Sequence, residues 1–259
     1  MLEKFKVTVP APSGEQERAA YVYLPADYDG EKRFPVLYMF DGHNVFLDED
    51  AAYGHSWRMG DYLDENRAPL IVAAIACDMK DRLSEYSPFP FSVKRYGWTS
   101  EGKGKQYMDW LTQVFKPQID RTYRTLSDRE HTYIAGSSMG GLMSLYAVTA
   151  YNRVFSAAAA LSPSLWANPD ECERMIAETQ FLPHTRIYVD YGSEELKSHS
   201  SQQIRGLKKC SAALLSSGTA YTFRIVDGGK HCEESWQKQV PVFMNCLGWC
   251  RMGGTNHNS

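Results

Sequence analysis

Residues 131–151 read HTYIAGSSMGGLMSLYAVTAY, and the segment from Tyr133 to Gly141, YIAGSSMGG, decides how the rest of the chain is read. A short apolar run leads into two adjacent serines set between glycines. A run suited to a helix follows. Gly136-Ser137-Ser138-Met139-Gly140 matches G-x-S-x-G, with Ser138 at its centre. Between a buried strand and a helix, this pattern builds a sharp turn that holds the central serine in a strained conformation at the carboxyl edge of a sheet. Small residues flank the serine because the turn packs closely against its neighbours. The following helix aims its first N–H groups at the same place, where they favour developing negative charge. Ser138 is therefore read as a nucleophile, with Ser137 turned away from the tip.

The surrounding pattern supports that setting. Strands are predicted over residues 18–24, 35–40, 70–77, 131–135, 156–161, 186–191 and 221–226. Helices are predicted over 56–65, 105–118, 139–151, 169–178, 198–216 and 233–250. PVLYMF, LIVAAIAC and AAAAL are apolar almost throughout, as strands covered on both faces must be. ERAAYVYLP alternates and suits an antiparallel edge strand. Met108, Leu111, Phe115 and Ile119 recur at helical spacing. Strands alternating with helices imply an α/β fold, with a mostly parallel central sheet and helices on both faces. The 259 residues, 43% hydrophobic, suit one domain over residues 1–250, followed by a frayed tail at 251–259. Residues 80–105, KDRLSEYSPFPFSVKRYGWTSEGKGK, read as a long loop, and such a loop inside a compact domain is often functional.

Charge and composition exclude several function classes. The formal net charge is -3, and Lys32-Arg33 and Lys208-Lys209 are isolated basic pairs. Nucleic acid and a basic membrane-surface helix therefore have little electrostatic support. The longest apolar run, residues 69–77, is too short to span a bilayer. The first residues lack the apolar core of a signal peptide, so the expectation is a soluble, cytoplasmic protein. The six cysteines form no C-x-x-C pair, and grouping His231 and Cys232 with Cys246 and Cys250 fits no common zinc spacing. Neither a metal nor a cofactor is expected.

A serine hydroxyl needs a base to become an effective nucleophile. In a strand–turn–helix setting of this kind the acid and then the histidine follow the serine along the chain. Of seven histidines, only His231 lies after a late strand on a glycine-rich loop, in YTFRIVDGGKHCEESW, and it is read as the base. The acid is sought after the preceding strand, in RIYVDYGSEELKS. Glu195, three residues beyond Gly192, is preferred, with Glu194 and Asp190 as alternatives. The oxyanion donors are read as the backbone N–H groups of Met139 and His43. His43 lies in VLYMFDGHNVF, where Gly42 lets the chain turn tightly. Trp166 and Trp57 are candidate substrate-binding walls, with Trp98 beside them. Arg82 or Lys94 would suit an anionic substrate at the mouth.

YVYLPADYD, FPVLYMFDGHNVF, SDREHTYIAGSSMGGLMSLY, FSAAAALSPSLW, VDYGSEE and DGGKHCEESW together resemble the putative-esterase branch of the α/β-hydrolase superfamily. That branch contains feruloyl and acetyl xylan esterases, enterochelin esterases, S-formylglutathione hydrolases and mycolyltransferases. The resemblance runs from about Tyr21 to Trp249 and implies an α/β-hydrolase fold. It implies Ser138 as nucleophile, His231 as base, and Met139 and His43 as oxyanion donors. It puts the acid where GSEE ends, at Glu195, although many relatives carry Asp there. The implied activity is cofactor-free hydrolysis of a small-molecule or oligosaccharide ester, either a feruloyl or acetyl ester of plant cell-wall carbohydrate or a siderophore trilactone. An acyltransferase and a binding module without chemistry stay open. With a histidine base, the rate is expected to rise with pH through roughly 6.5.

Overall fold

The most apolar runs become the central strands of a computed structural model that describes residues 1–28, 30–93, 97–198 and 201–248. β3 (Val36–Met39) and β4 (Ile71–Ile75) are buried at every position. So are β7 (Thr132–Ser137) and β8 (Ala157–Leu161). Successive side chains of a strand point to opposite faces. Val36 and Tyr38 therefore enter one core, while Leu37 and Met39 enter the other. Two-sided burial is the reason these strands read as unbroken apolar runs.

The sheet adds β1 (Leu2–Ala11), β2 (Gly14–Tyr23), β9 (Arg186–Gly192) and β10 (Ala220–Val226). Its order is β1-β2-β4-β3-β7-β8-β9-β10. β1 and β2 pair antiparallel, as do β2 and β4. The remaining pairs are parallel. One face is covered by α3 (Gly104–Trp110), α4 (Lys116–Thr122), α5 (Met139–Ala150), α6 (Pro169–Ala177) and α8 (Ser201–Ser216). A π-helical turn, Leu111–Phe115, joins α3 to α4. The other face is covered by α1 (Met59–Glu65), α9 (Glu233–Gln237) and α10 (Val240–Cys246). This is the α/β-hydrolase arrangement. No helix among the described residues is long and apolar enough to cross a membrane.

Several elements differ from the sequence reading. The alternating strand at 18–24 is β2, second from the edge, because β1 covers it through a tight hairpin. β1 escaped notice because Lys4, Lys6 and Pro10 interrupt its apolar residues, as edge strands often require. The helix predicted over 233–250 breaks between α9 and α10. Pro241 lacks an N–H group, so it starts a new helix rather than continuing one. The helix predicted over 198–216 is α8 from Ser201 onward, with residues 199–200 outside the described residues, and α7 (Ser193–Ser198) precedes it. The loop at 80–105 contains α2 (Arg82–Glu85) and a ribbon of β5 (Phe91–Val93) with β6 (Trp98–Ser100). Glu85 anchors this segment through two bonds of 2.6 Å from the buried Arg18 guanidinium of β2. Lys94, the Trp98 side chain and the tail at 251–259 lie outside the described residues.

β3 lies between β4 and β7, so the chain order reverses on either side of it. A crevice opens at the carboxyl ends of strands at such a point. Asp41–Asn44 follow β3 and Ser138 follows β7, so both reach that crevice.

Candidate active site

Ser138 sits between β7 and α5 at φ 57 and ψ -121, a conformation that residues with a Cβ rarely adopt. The tightness of the turn explains its glycines. A Cβ on Gly136 would lie 2.8 Å from the Gly140 carbonyl carbon, and one on Gly140 would lie 2.9 Å from Phe40 Cβ. Ser138 N–H donates to Leu161 O at 2.9 Å, and Ser164 N–H donates to Ser138 O at 3.0 Å. The end of β8 thus grips the turn from both sides.

His231 lies on the loop after β10, 93 residues from Ser138. Its Nε2 is 3.0 Å from Ser138 Oγ, which donates to it. Its Nδ1 donates to Glu195 Oε2 at 2.7 Å. Glu195 lies in α7, directly after β9, and is 3% exposed. Its other oxygen accepts from Ser162 Oγ at 2.6 Å and from Gly192 N–H at 3.0 Å. Burial pushes the Glu195 carboxyl up, but donation from His231, Ser162 and Gly192 outweighs it and holds the group below its usual range. Asp190, an alternative acid in the sequence reading, lies inside β9 and accepts from Tyr188 OH at 2.7 Å. Of the three carboxylates expected as the acid, Glu195 is the one that accepts from His231 Nδ1.

His43 lies in a single 3₁₀ turn, Gly42–Asn44, directly after Asp41. The turn packs so closely on β4 that a Cβ on Gly42 would be 2.7 Å from the Ile75 backbone. Two side-chain anchors hold it. Arg82 donates through Nε and Nη2 to the two Asp41 oxygens, each at 2.8 Å. Asn44 Nδ2 donates to Glu233 Oε1 at 3.1 Å, two residues beyond His231. Burial works against the Asp41 charge, but the guanidinium outweighs it and holds that carboxyl below its usual range. The N–H groups of Met139 and His43 fall in the first turns of their helices, where an intrahelical acceptor is lacking. Burial lowers the pKa of the His43 imidazole. Asp41, His43 and Cys77 bring three ligand-type atoms within 4.8 Å of one another. Arg82 already occupies both Asp41 oxygens, so the cluster carries its own cation.

The cleft over Ser138 encloses about 420 Å³. Its lining includes the apolar surfaces of Tyr53, Met79 and Trp236 and the polar groups of Arg82, Asn44 and Glu233. Burial pushes the Glu233 carboxyl up. Two residues expected on the walls lie elsewhere. Trp57 is 4% exposed and packs behind Trp236, with ring centroids 6.3 Å apart, so it belongs to the core. Trp166 packs edge-on against Phe91 of β5 at 5.4 Å, outside the cleft lining. Trp236 carried a signal, because it stands in the DGGKHCEESW segment five residues after His231. Tyr53 carried none, since it lies in an irregular turn and reaches the cleft only through the fold.

The family described as "Putative esterase" matches residues 11–244. The chain belongs to that family. Among its relatives, the uncharacterized protein YbbA of Bacillus subtilis is 27% identical over 237 residues, which are 88% of this esterase and 90% of the relative. The endo-1,4-beta-xylanase/feruloyl esterase of Xylanibacter ruminicola is 26% identical over 234 residues. That match covers 84% of this chain and 29% of the larger protein. Among solved structures, the siderophore hydrolase EstA of Aspergillus nidulans superposes with a TM-score of 0.71 over 94% of each chain, at 17% identity. At that identity the likeness is one of fold.

Proposed function

We propose that this esterase works through an acyl-enzyme on Ser138 and acts on feruloyl or acetyl esters of plant cell-wall carbohydrate. The observation that carries the reading is the continuous chain from Glu195 through His231 to Ser138, with links of 2.7 and 3.0 Å. His231 takes the hydroxyl proton as Ser138 attacks the ester carbonyl. Glu195 fixes the imidazole orientation and stabilises the imidazolium that forms. The N–H groups of Met139 and His43 receive the oxyanion, and each such donor is typically worth about 3 kcal/mol of barrier. His231 then protonates the departing alcohol. Water enters and the same steps run in reverse to release the acid.

Two features favour a neutral acyl ester over a polyanionic chelate. The apolar surfaces of Tyr53, Met79 and Trp236 in the lining suit a planar or small acyl group. Among the polar lining groups, Arg82 spends its charge on Asp41, and Glu233 adds a second carboxyl. A siderophore trilactone therefore rests on likeness of fold alone. The feruloyl side has the sequence relative from Xylanibacter ruminicola. A cytoplasmic location belongs to the same proposal. The described cysteines are free thiols, the form a reducing compartment keeps.

The test compares initial rates on methyl ferulate, p-nitrophenyl acetate and a catecholate trilactone for the wild type and Ser138→Ala. Turnover of the first two, lost in the variant, is the expected result. Equal rates in both proteins would remove Ser138 from the mechanism. Turnover of the trilactone alone would replace the cell-wall substrate by the siderophore.

A further inference from the structure

Glu195 is held, on the oxygen that His231 does not use, by a serine outside the catalytic three. Ser162 directly follows β8 and is 2% exposed. It stands at φ 43, in the left-handed region that a Cβ makes unfavourable. The surrounding chain imposes this conformation. Ser162 N–H donates to Asp190 O at 2.9 Å and to Asp190 Oδ1 at 3.3 Å. The next carbonyl, of Pro163, accepts from Tyr191 OH and, at 3.2 Å, from Gln203 Nε2. With its backbone fixed on both sides, Ser162 presents its hydroxyl to one place.

That place has a defined hydrogen-bond direction. Trp236 Nε1 lies 3.0 Å from Ser162 Oγ, and an indole N–H can only donate. Ser162 therefore accepts from Trp236, and its own proton points to Glu195 Oε1 at 2.6 Å. Trp236 also packs edge to face on the His231 ring, with centroids 4.9 Å apart and planes at 81°. One indole thus steadies the imidazole by contact and the carboxylate through Ser162. With Oε1 occupied by Ser162 and Gly192, Oε2 is left for His231.

We infer that Ser162, oriented by Trp236, is a positioning residue that acts through Glu195 to hold the His231 imidazole. This rests on the acyl-enzyme reading of Ser138. A purely structural hydroxyl would serve only to satisfy the buried indole N–H. Ser162→Gly separates the two roles. Glycine accepts the left-handed conformation freely, which offsets the lost hydrogen bonds in fold stability. On p-nitrophenyl acetate this variant is expected to lose kcat by about 10- to 100-fold, the range for a hydrogen bond to a charged group, with KM nearly unchanged. In a Glu195→Gln background the same change should lower kcat by less than about twofold further, because residues acting as a unit are not additive. Trp236→Phe, which keeps the ring but loses the donor, should fall between wild type and Ser162→Gly. An unchanged kcat in Ser162→Gly, or its full loss repeated in the Glu195→Gln background, would overturn the inference while Ser138→Ala remained inactive. Turnover retained by Ser138→Ala would overturn the acyl-enzyme reading and this inference with it.

Discussion

Replacing Asp190 with asparagine removes a carboxyl that β9 carries into the interior, where it is 1% exposed. Burial pushes this group up to about 6, and donation from Tyr188 OH and Ser162 N–H only partly opposes the rise. In the unfolded chain it returns to an ordinary value of 3.8. The folded-state value is thus the higher one. Below the unfolded value both states hold the proton, and the stability contribution is fully present. Between the two values the unfolded chain has released a proton that the folded protein keeps, so stability falls as pH rises. Above about 6 both states are ionised and the loss is complete. A gap of a little over two pH units, at about 1.36 kcal/mol each, amounts to about 3 kcal/mol. Asp190→Asn abolishes this titration and keeps an acceptor for Tyr188. The unfolding free energy of the variant minus that of the wild type should therefore rise by about 2 kcal/mol between about pH 4.5 and pH 8, read from urea denaturation at each pH. A difference that stays constant with pH would refute the burial argument. A difference that falls would mean that the fold stabilises the Asp190 anion.

Three further substitutions bear on other parts of the structure. Gly42→Ala would place a Cβ 2.7 Å from the Ile75 backbone and shift the turn that carries His43, so kcat should fall by about 100-fold with little change in KM. Steady-state kinetics on p-nitrophenyl acetate would check it. Glu85→Gln leaves the Arg18 guanidinium buried without its anion, and urea denaturation should show a loss of about 3–5 kcal/mol. Trp57→Phe should leave KM for methyl ferulate within about twofold of wild type, because its ring lies behind Trp236 rather than on the cleft.

The three residues of the Ser138–His231–Glu195 chain were more readable in the sequence than the walls of the cleft. The turn at Ser138 is a local device, built from glycines, a strand and a helix that adjoin it in the chain. His231 was recognisable because it follows a strand on a glycine loop, and Glu195 because it follows the turn at Gly192. The walls lack such a local mark. Trp57 and Trp236 are both buried in one core, yet of the two it is Trp236 that also lines the cleft. The insertion at 80–105 read as a loop because its short helix and ribbon draw their order from the Arg18–Glu85 and Asp41–Arg82 pairs. Those partners lie 67 and 41 residues away along the chain.

By itself the sequence determined the class of the fold, the serine turn between strand and helix, and the order in which Ser138, Glu195 and His231 occur along the chain. Those features depend on periodicity and on residues a few positions apart, where steric rules and hydrogen-bond needs act directly. Tertiary structure separated Glu195 from Glu194 and Asp190 as the partner of His231, and it alone decided which aromatic rings line the cleft and that Ser162 stands behind Glu195. Each of these depends on the sheet order β3-β7-β8-β9, which brings together strand ends far apart in the chain. The strand order follows from burying both sheet faces at once, and that is a property of the packed whole rather than of any one segment.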